Sequence, residues 1–160
     1  MRYLGLDLGT RTLGISLSDE TLTIANSYKT IRFNDSEYEC LFEPLKEIAN
    51  EYDVKKIVLG LPKNMNNSIG ERGITTIDFG QKLEKYLNIK VIMQDERLST
   101  VEATNYLIEA DMSRKKRKNK VDKLAANIIL QTYLDKEKGM KKWKKKKKWL
   151  LKLWMMKVKR

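Results

Sequence analysis

The chain has 160 residues, enough for one domain whose core needs no cross-links and too few for two full domains of comparable size. Its 33 basic and 21 acidic residues give a net charge of +12, but residues 139–160 hold ten Lys, one Arg and no acid, so residues 1–138 keep 22 basic against 21 acidic residues and are close to neutral. Histidine is absent and Cys40 is the single cysteine, which excludes disulfide frameworks, zinc clusters, Ser-His-Asp and Cys-His triads and histidine acid–base chemistry, and fits a reducing cytosol.

Residues 2–8 read as an apolar strand, followed by a turn at Gly9-Thr10-Arg11-Thr12. Leu13 to Ser18 alternates apolar with small or polar residues, as a half-buried strand does, and a third strand is expected over Leu22 to Phe33. Asn34-Asp35-Ser36 is expected to cap a helix running to about Tyr52, with Leu41, Leu45, Ile48 and Ala49 on one stripe and Pro44 breaking or kinking it. Lys56 to Leu61 reads as a buried strand, Pro62 to Gly73 as a polar loop, Ile74 to Leu87 as a helix and Ile89 to Gln94 as a second buried strand. Ser99 and Glu102 have the spacing of a capping box opening a helix to about Ala110. A basic linker over residues 111–120 and a helix from Val121 to Leu134 complete the body, the helix turning Leu124, Ala125, Ile128 and Ile129 inward.

The resulting order, β-β-β-α-β-α-β-α-α, predicts an α/β domain over residues 1–138 with a mixed central sheet and helices on both faces. The N-terminus does not read as a signal peptide, because Asp7 interrupts the apolar run at once, and no window reaches the ~18 apolar residues of a membrane span. Residues 139–160 form a separate Lys/Trp-rich tail, expected to be disordered or helical. It suits a basic arm for RNA, an amphipathic segment for an anionic surface, or a biased extension without a partner.

Three acidic positions carry the chemistry. Asp7 ends an apolar strand between Gly5 and Gly9, where a charge is costly unless paired or metal-bound and where glycines admit close approach; its structural alternative is a turn cap. Asp95-Glu96-Arg97 lies where a buried strand runs out, the place where α/β sheets gather their sites; the alternative is a solvated ion pair. Asp122 interrupts an apolar helix face, or else sits in a first turn favoured by the helix dipole. Together they suit phosphodiester cleavage by carboxylate-bound Mg2+ or Mn2+, since hard oxygen donors without His or Cys disfavour zinc. Lys63 and Arg72, in and beside the polar loop, are placed to reach phosphates or else belong to an ordinary surface.

Four segments in order resemble the YqgF/RuvX family of Holliday-junction-resolvase-like pre-16S rRNA nucleases: Gly5-Leu6-Asp7-Leu8-Gly9-Thr10 with Gly14, Val58-Leu59-Gly60-Leu61-Pro62 with Asn64-Met65, Asp95-Glu96-Arg97-Leu98 with Glu102-Ala103, and Val121-Asp122-Lys123-Leu124-Ala125-Ala126. The resemblance implies a ribonuclease H-like fold and a cytoplasmic nuclease that matures the 5′ end of pre-16S rRNA during ribosome biogenesis. It also implies an active site of Asp7, Asp95, Glu96 and Asp122. Asp7, Glu96 and Asp122 are the expected metal ligands; strand alternation lets only one of Asp95 and Glu96 point straight at the site, and which one stays open here. Nucleic acid, pre-rRNA or branched DNA, is then expected to meet Thr10, Arg11, Lys63, Asn64, Arg72 and Arg97. Thr12 departs from the family's frequent basic residue, Ser99 replaces a threonine, and Asn67 stands where glycine is common, in a turn that asparagine tolerates. The tail has no counterpart in the family, and oligomeric state is not read from these residues.

Other readings remain open on sequence alone. One is a resolvase acting on four-way DNA, and another is an RNA-binding assembly module without catalysis. Asp7-Leu8-Gly9-Thr10 also resembles the first phosphate loop of actin-like ATPases, but those need two such domains and have no place for the Asp-Glu-Arg segment.

Overall fold

The computed structural model describes residues 1–96 and 113–158, with the side chains of 114–123 and 157–158 left outside the description. In chain order the elements are β1 (Arg2–Leu8), β2 (Thr12–Ser18), β3 (Ala25–Arg32), a 3-10 turn (Tyr38–Leu41), α1 (Phe42–Glu51), β4 (Val54–Leu61), α2 (Glu71–Leu87), β5 (Lys90–Asp95) and α3 (Arg114–Val158). The expected helix from Ser99 to about Ala110 and its capping box lie outside the described residues.

The five strands form one sheet in the order β3-β2-β1-β4-β5, with β1–β2 and β2–β3 antiparallel and β1–β4 and β4–β5 parallel. The mixed sheet is therefore as expected, and β1 is its centre. Alternation along β1 turns Leu4, Leu6 and Leu8 toward α1 and α2, where they bury with Leu13, Ile15, Leu17, Leu45, Ile57, Leu59, Phe79 and Leu83. Tyr3 and Val58 face the other way and pack with Ile129, Leu130 and Leu134 of α3. Helices thus cover both faces.

Glycine lets α3 approach the sheet. A Cβ at Gly5 would lie 2.2 Å from Ser16 Oγ and 2.7 Å from Leu130 Cβ. The same Ser16 Oγ donates to the Ala126 carbonyl at 2.7 Å, tying the helix backbone to β2. Midway along its length α3 is held by Glu137, whose carboxylate accepts from Tyr3 OH (2.9 Å) and Lys56 Nζ (3.2 Å).

Several sequence expectations are corrected. Pro44 neither breaks nor kinks a helix, because α1 starts at Phe42 and places it in the first turn, where no backbone N–H is needed. Asn34-Asp35-Ser36 is not the cap: Asn34 closes a turn by accepting from Glu37 N, and the 3-10 turn intervenes. The third strand begins at Ala25 because Asp19 gathers the backbone N–H groups of Thr23 and Ile24 into a loop. Helix α2 starts three residues before Ile74, at Glu71. The expected linker is helical from Arg114; the tail, for which a helix was one of the two expectations, continues the same helix to Val158. Beyond Lys138 its large apolar residues, among them Trp143, Trp149 and Trp154, are exposed. Among the described residues no helix is long and apolar enough to cross a membrane.

Candidate active site

The parallel strands β1, β4 and β5 end on one edge of the sheet, and the candidate residues collect there. Asp7 is the penultimate residue of β1 and is half-buried. Its neighbour in β2 is Gly14, where a Cβ would lie 3.7 Å from Asp7 Cβ and 3.6 Å from Ala126 Cβ. Asp7 therefore points to the α3 face of the sheet.

Glu96 follows β5 and keeps its backbone tied to β4, donating from N to the Leu61 carbonyl at 3.3 Å. Its Oε2 lies 2.5 Å from the position a Cβ would take at Gly60, beside Ile129 Cδ1. That position is again on the α3 face. Met93, two residues before Asp95, faces α2 at Gly80, so alternation turns Asp95 away from Asp7 and Glu96 toward it. The geometry thus distinguishes two acids that sequence left equivalent. Gly60 was the missed signal: a glycine inside an apolar strand marks a close approach, here by a carboxylate.

The electrostatics agree with this placement. Glu96 is pushed up to about 7, first by burial, then by the neighbouring Asp7 charge and more weakly by Asp95, with Arg72 acting in the opposite direction. Two acids held together against desolvation and mutual repulsion form a donor set that fits a hard divalent cation. Among the described residues no group of three or more His, Cys, Asp or Glu stands together.

Asp122 lies on α3, and its side chain is outside the description. The helix runs antiparallel to β1: Glu137 meets Tyr3, Leu130 and Ala126 meet Gly5, and Ala126 meets Gly14 beside Asp7. One helical turn further, about 5.4 Å, brings position 122 to the edge where Asp7 and Glu96 stand.

The expected nucleic-acid contacts divide. Thr10 and Arg11 are exposed in the hairpin turn, which Gly9 N closes onto the Thr12 carbonyl at 2.8 Å. Asn64 is exposed and Lys63 half-buried in the loop after β4, at the same edge of the sheet. That loop is ordered by Asn64 N donating to the Ser68 carbonyl and Asn67 N to the Asn64 carbonyl, both at 2.9 Å. Asn67 takes the left-handed conformation (φ 69°), so it does serve where glycine is common. Arg72 is half-buried and has internal partners as well: its guanidinium donates to the Leu8 carbonyl (3.0 Å) and to Tyr38 OH (2.9 Å). Tyr38 was not singled out by sequence, and nothing in the sequence marks it. Arg97 lies outside the described residues. A separate cavity of about 290 Å³, lined by Tyr38, Cys40, Phe42, Thr75 and Phe79 among others, contains neither Asp7 nor Glu96.

Comparison with known proteins gives consistent results. The family model described as RuvX, Holliday junction resolvase, matches residues 1–136. A relative from Bacillus cereus (strain AH187), named "Putative pre-16S rRNA nuclease", is 49% identical over 137 residues, covering 86% of this chain and all of the relative. One of the same name from Bacillus thuringiensis (strain Al Hakam) is 49% identical over 135 residues, covering 84% of this chain and 98% of the relative. Among solved structures, Thermus thermophilus RuvC in complex with a Holliday junction substrate superposes with a TM-score of 0.57 at 12% identity, covering 87% of this chain and 96% of that one. A second Thermus thermophilus RuvC structure gives 0.53 at 11% identity, with 87% and 97% covered. At such identity the likeness concerns the fold, which is the expected ribonuclease H-like one.

Proposed function

The chain belongs to the RuvX family, and from that premise we propose that it is a metal-dependent nuclease that processes the 5′ end of pre-16S rRNA in the cytoplasm. The observation that carries this reading is the placement of Asp7 and Glu96 on one face of the sheet, at the carboxyl edge of its parallel strands, close enough for the Asp7 charge to act on Glu96. The names of the relatives support the rRNA substrate.

Asp7, Glu96 and Asp122 are the residues that would hold Mg2+ or Mn2+, with Asp95 beside them facing the other way. When bound, such an ion lowers the pKa of a water and offsets negative charge on the leaving oxygen. The protein's own part is orientation. β1 and β5 fix two carboxylates on one face, and α3 brings the third position to the same edge. Thr10, Arg11, Lys63, Asn64 and Arg97 are proposed to carry the nucleic-acid backbone across that edge.

The family model's description favours a second reading, resolution of four-way DNA junctions. One assay separates the two. The full chain is incubated with Mg2+ or Mn2+ and either a pre-16S RNA end or a four-way DNA junction, with Asp7→Asn as control. Cleavage of the RNA, lost in Asp7→Asn, supports the proposal. Cleavage of the junction alone transfers the site to the second reading. Equal RNA processing by Asp7→Asn and wild type overturns the nuclease assignment of these acids.

A further inference from the structure

The β1–β4 register pairs residues as far as Leu6 with Leu59 and stops there, one pleat short of Leu8. Gly9 N turns toward β2, where it donates to Thr12, so by alternation the polar groups of Leu8 face β4, where the next donor in the register would be residue 62, a proline with no N–H to offer the Leu8 carbonyl. The Leu8 carbonyl is taken instead by Arg72 Nη2 at 3.0 Å, and Nη1 of the same planar fork donates to Tyr38 OH at 2.9 Å. Tyr38 is held in turn by aromatic contacts with Phe33 and Phe79, at ring-centroid distances of 5.5 and 6.3 Å. A rigid, always-charged side chain on α2 thus spans from the 3-10 turn to the backbone adjoining Asp7.

We propose that Arg72 is a positioning residue: it splints the open end of β1 to the Tyr38 turn and so fixes the Asp7 carboxylate opposite Glu96. The inference rests on the reading of Asp7 and Glu96 as the catalytic acids. With Pro62 at the next position of β4, the end of β1 loses the ladder bond that would hold its last residues in place. Arg72 restores that constraint. Tyr38 acts only through Arg72, so the pair behaves as one device. The rival role for the guanidinium is direct contact with a substrate phosphate, in which Tyr38 would have no part.

The test uses the full chain with Arg72→Gln, Arg72→Lys, Tyr38→Phe and the Arg72→Gln/Tyr38→Phe double variant, each checked for folding by circular dichroism. Readouts are kcat and KM on the substrate cleaved by wild type, the salt slope of nucleic-acid binding, and Mn2+ affinity by calorimetry. Arg72→Gln should lower kcat and Mn2+ affinity by about tenfold or more while leaving KM and the salt slope near wild type. Tyr38→Phe, which removes one oxygen, should give a smaller fall in the same two quantities, and the double variant should be no worse than Arg72→Gln alone. Arg72→Lys should recover little, because an ammonium does not reproduce the two-pronged fork. If Arg72→Gln fails to fold, Tyr38→Phe and Arg72→Lys decide. A raised KM with a salt slope flatter by about one ion, and a silent Tyr38→Phe, would overturn the splint in favour of phosphate contact. Wild-type values in every variant would also overturn it. If wild type itself neither cleaves nor binds Mn2+, the catalytic reading fails and takes the splint with it.

Discussion

At the scale of single residues, Glu96 shows what it costs to assemble such a site. Its carboxyl is pushed up to about 7 by burial and by Asp7. A raised carboxyl favours the protonated form in the folded state, so its contribution to stability is present below the ordinary carboxylate range and lost as pH rises toward 7. In the metal-free protein, Glu96→Gln should therefore be more stable than wild type at pH 8, on the order of 3 kcal/mol and seen as a higher melting temperature, with the gain vanishing near pH 4.5. Thermal unfolding in EDTA across this range checks it; an unchanged melting temperature at pH 8 would mean that the folded protein does not resist charging Glu96. Asp7 could be singled out from sequence because a charge in an apolar strand is conspicuous. The choice between Asp95 and Glu96 could not, since it depends on how the end of β5 meets Gly60, two strands that only the fold brings together. The internal bonds of Arg72 were unreadable for the same reason: its partners, Leu8 and Tyr38, are distant in sequence and one of them is a backbone carbonyl.

At the scale of elements, α3 is anchored at its sheet-facing end by Tyr3, Lys56, Tyr133 and Glu137. Lys56 Nζ donates to Tyr133 OH at 3.0 Å and to Glu137 at 3.2 Å, and stands 4.8 Å from the Tyr3 ring centroid. For Glu137 burial opposes ionisation, but hydrogen bonds from Tyr3, Tyr133 and Lys56 outweigh it and leave the carboxyl below its ordinary value. A depressed carboxyl stabilises the fold above the unfolded-state value near pH 4.3, and that contribution is lost as pH falls through the folded value. Glu137→Gln should cost roughly 1–3 kcal/mol at pH 7 and flatten the acid limb of the stability curve, as measured by urea unfolding at pH 7 and pH 4. The elements themselves were largely readable, since period-2 alternation marks β2 and apolar runs mark β1, β4 and β5. What sequence missed were boundaries set by tertiary partners. The Asp19 loop postpones β3, and the 3-10 turn delays α1 until Pro44 falls where a helix tolerates it.

At the scale of the molecule, among the described residues the last side chain of α3 bonded to the rest of the domain is Lys138, whose Nζ donates at 2.6 Å to Thr23 Oγ1 in the loop before β3. Residues 139–156 are exposed, although the helix continues through them. Removing everything after Lys138 should leave the stability of the body within about 0.5 kcal/mol of the full chain, a comparison that scanning calorimetry makes directly. A larger loss would mean that the lysine- and tryptophan-rich segment packs against the domain. The charge total is thus uninformative about the fold, because +11 of it lies in a segment that the family model, ending at residue 136, does not cover.

The bond between Tyr3 and Glu137 spans 134 positions of sequence. β1 precedes the other described elements in the chain and forms the centre of the sheet, yet among the described residues the cover of one of its faces comes from α3, more than a hundred residues later. The hairpin with β2 can form early, whereas the layer that includes Gly5, Asp7 and Ala126 must wait until α3 has been made. Contacts of such long range slow folding, and they have a useful corollary for a protein read as cutting RNA. In the proposed reading, a chain that lacks α3 lacks position 122 and so has an incomplete acid set at the edge where Asp7 and Glu96 stand.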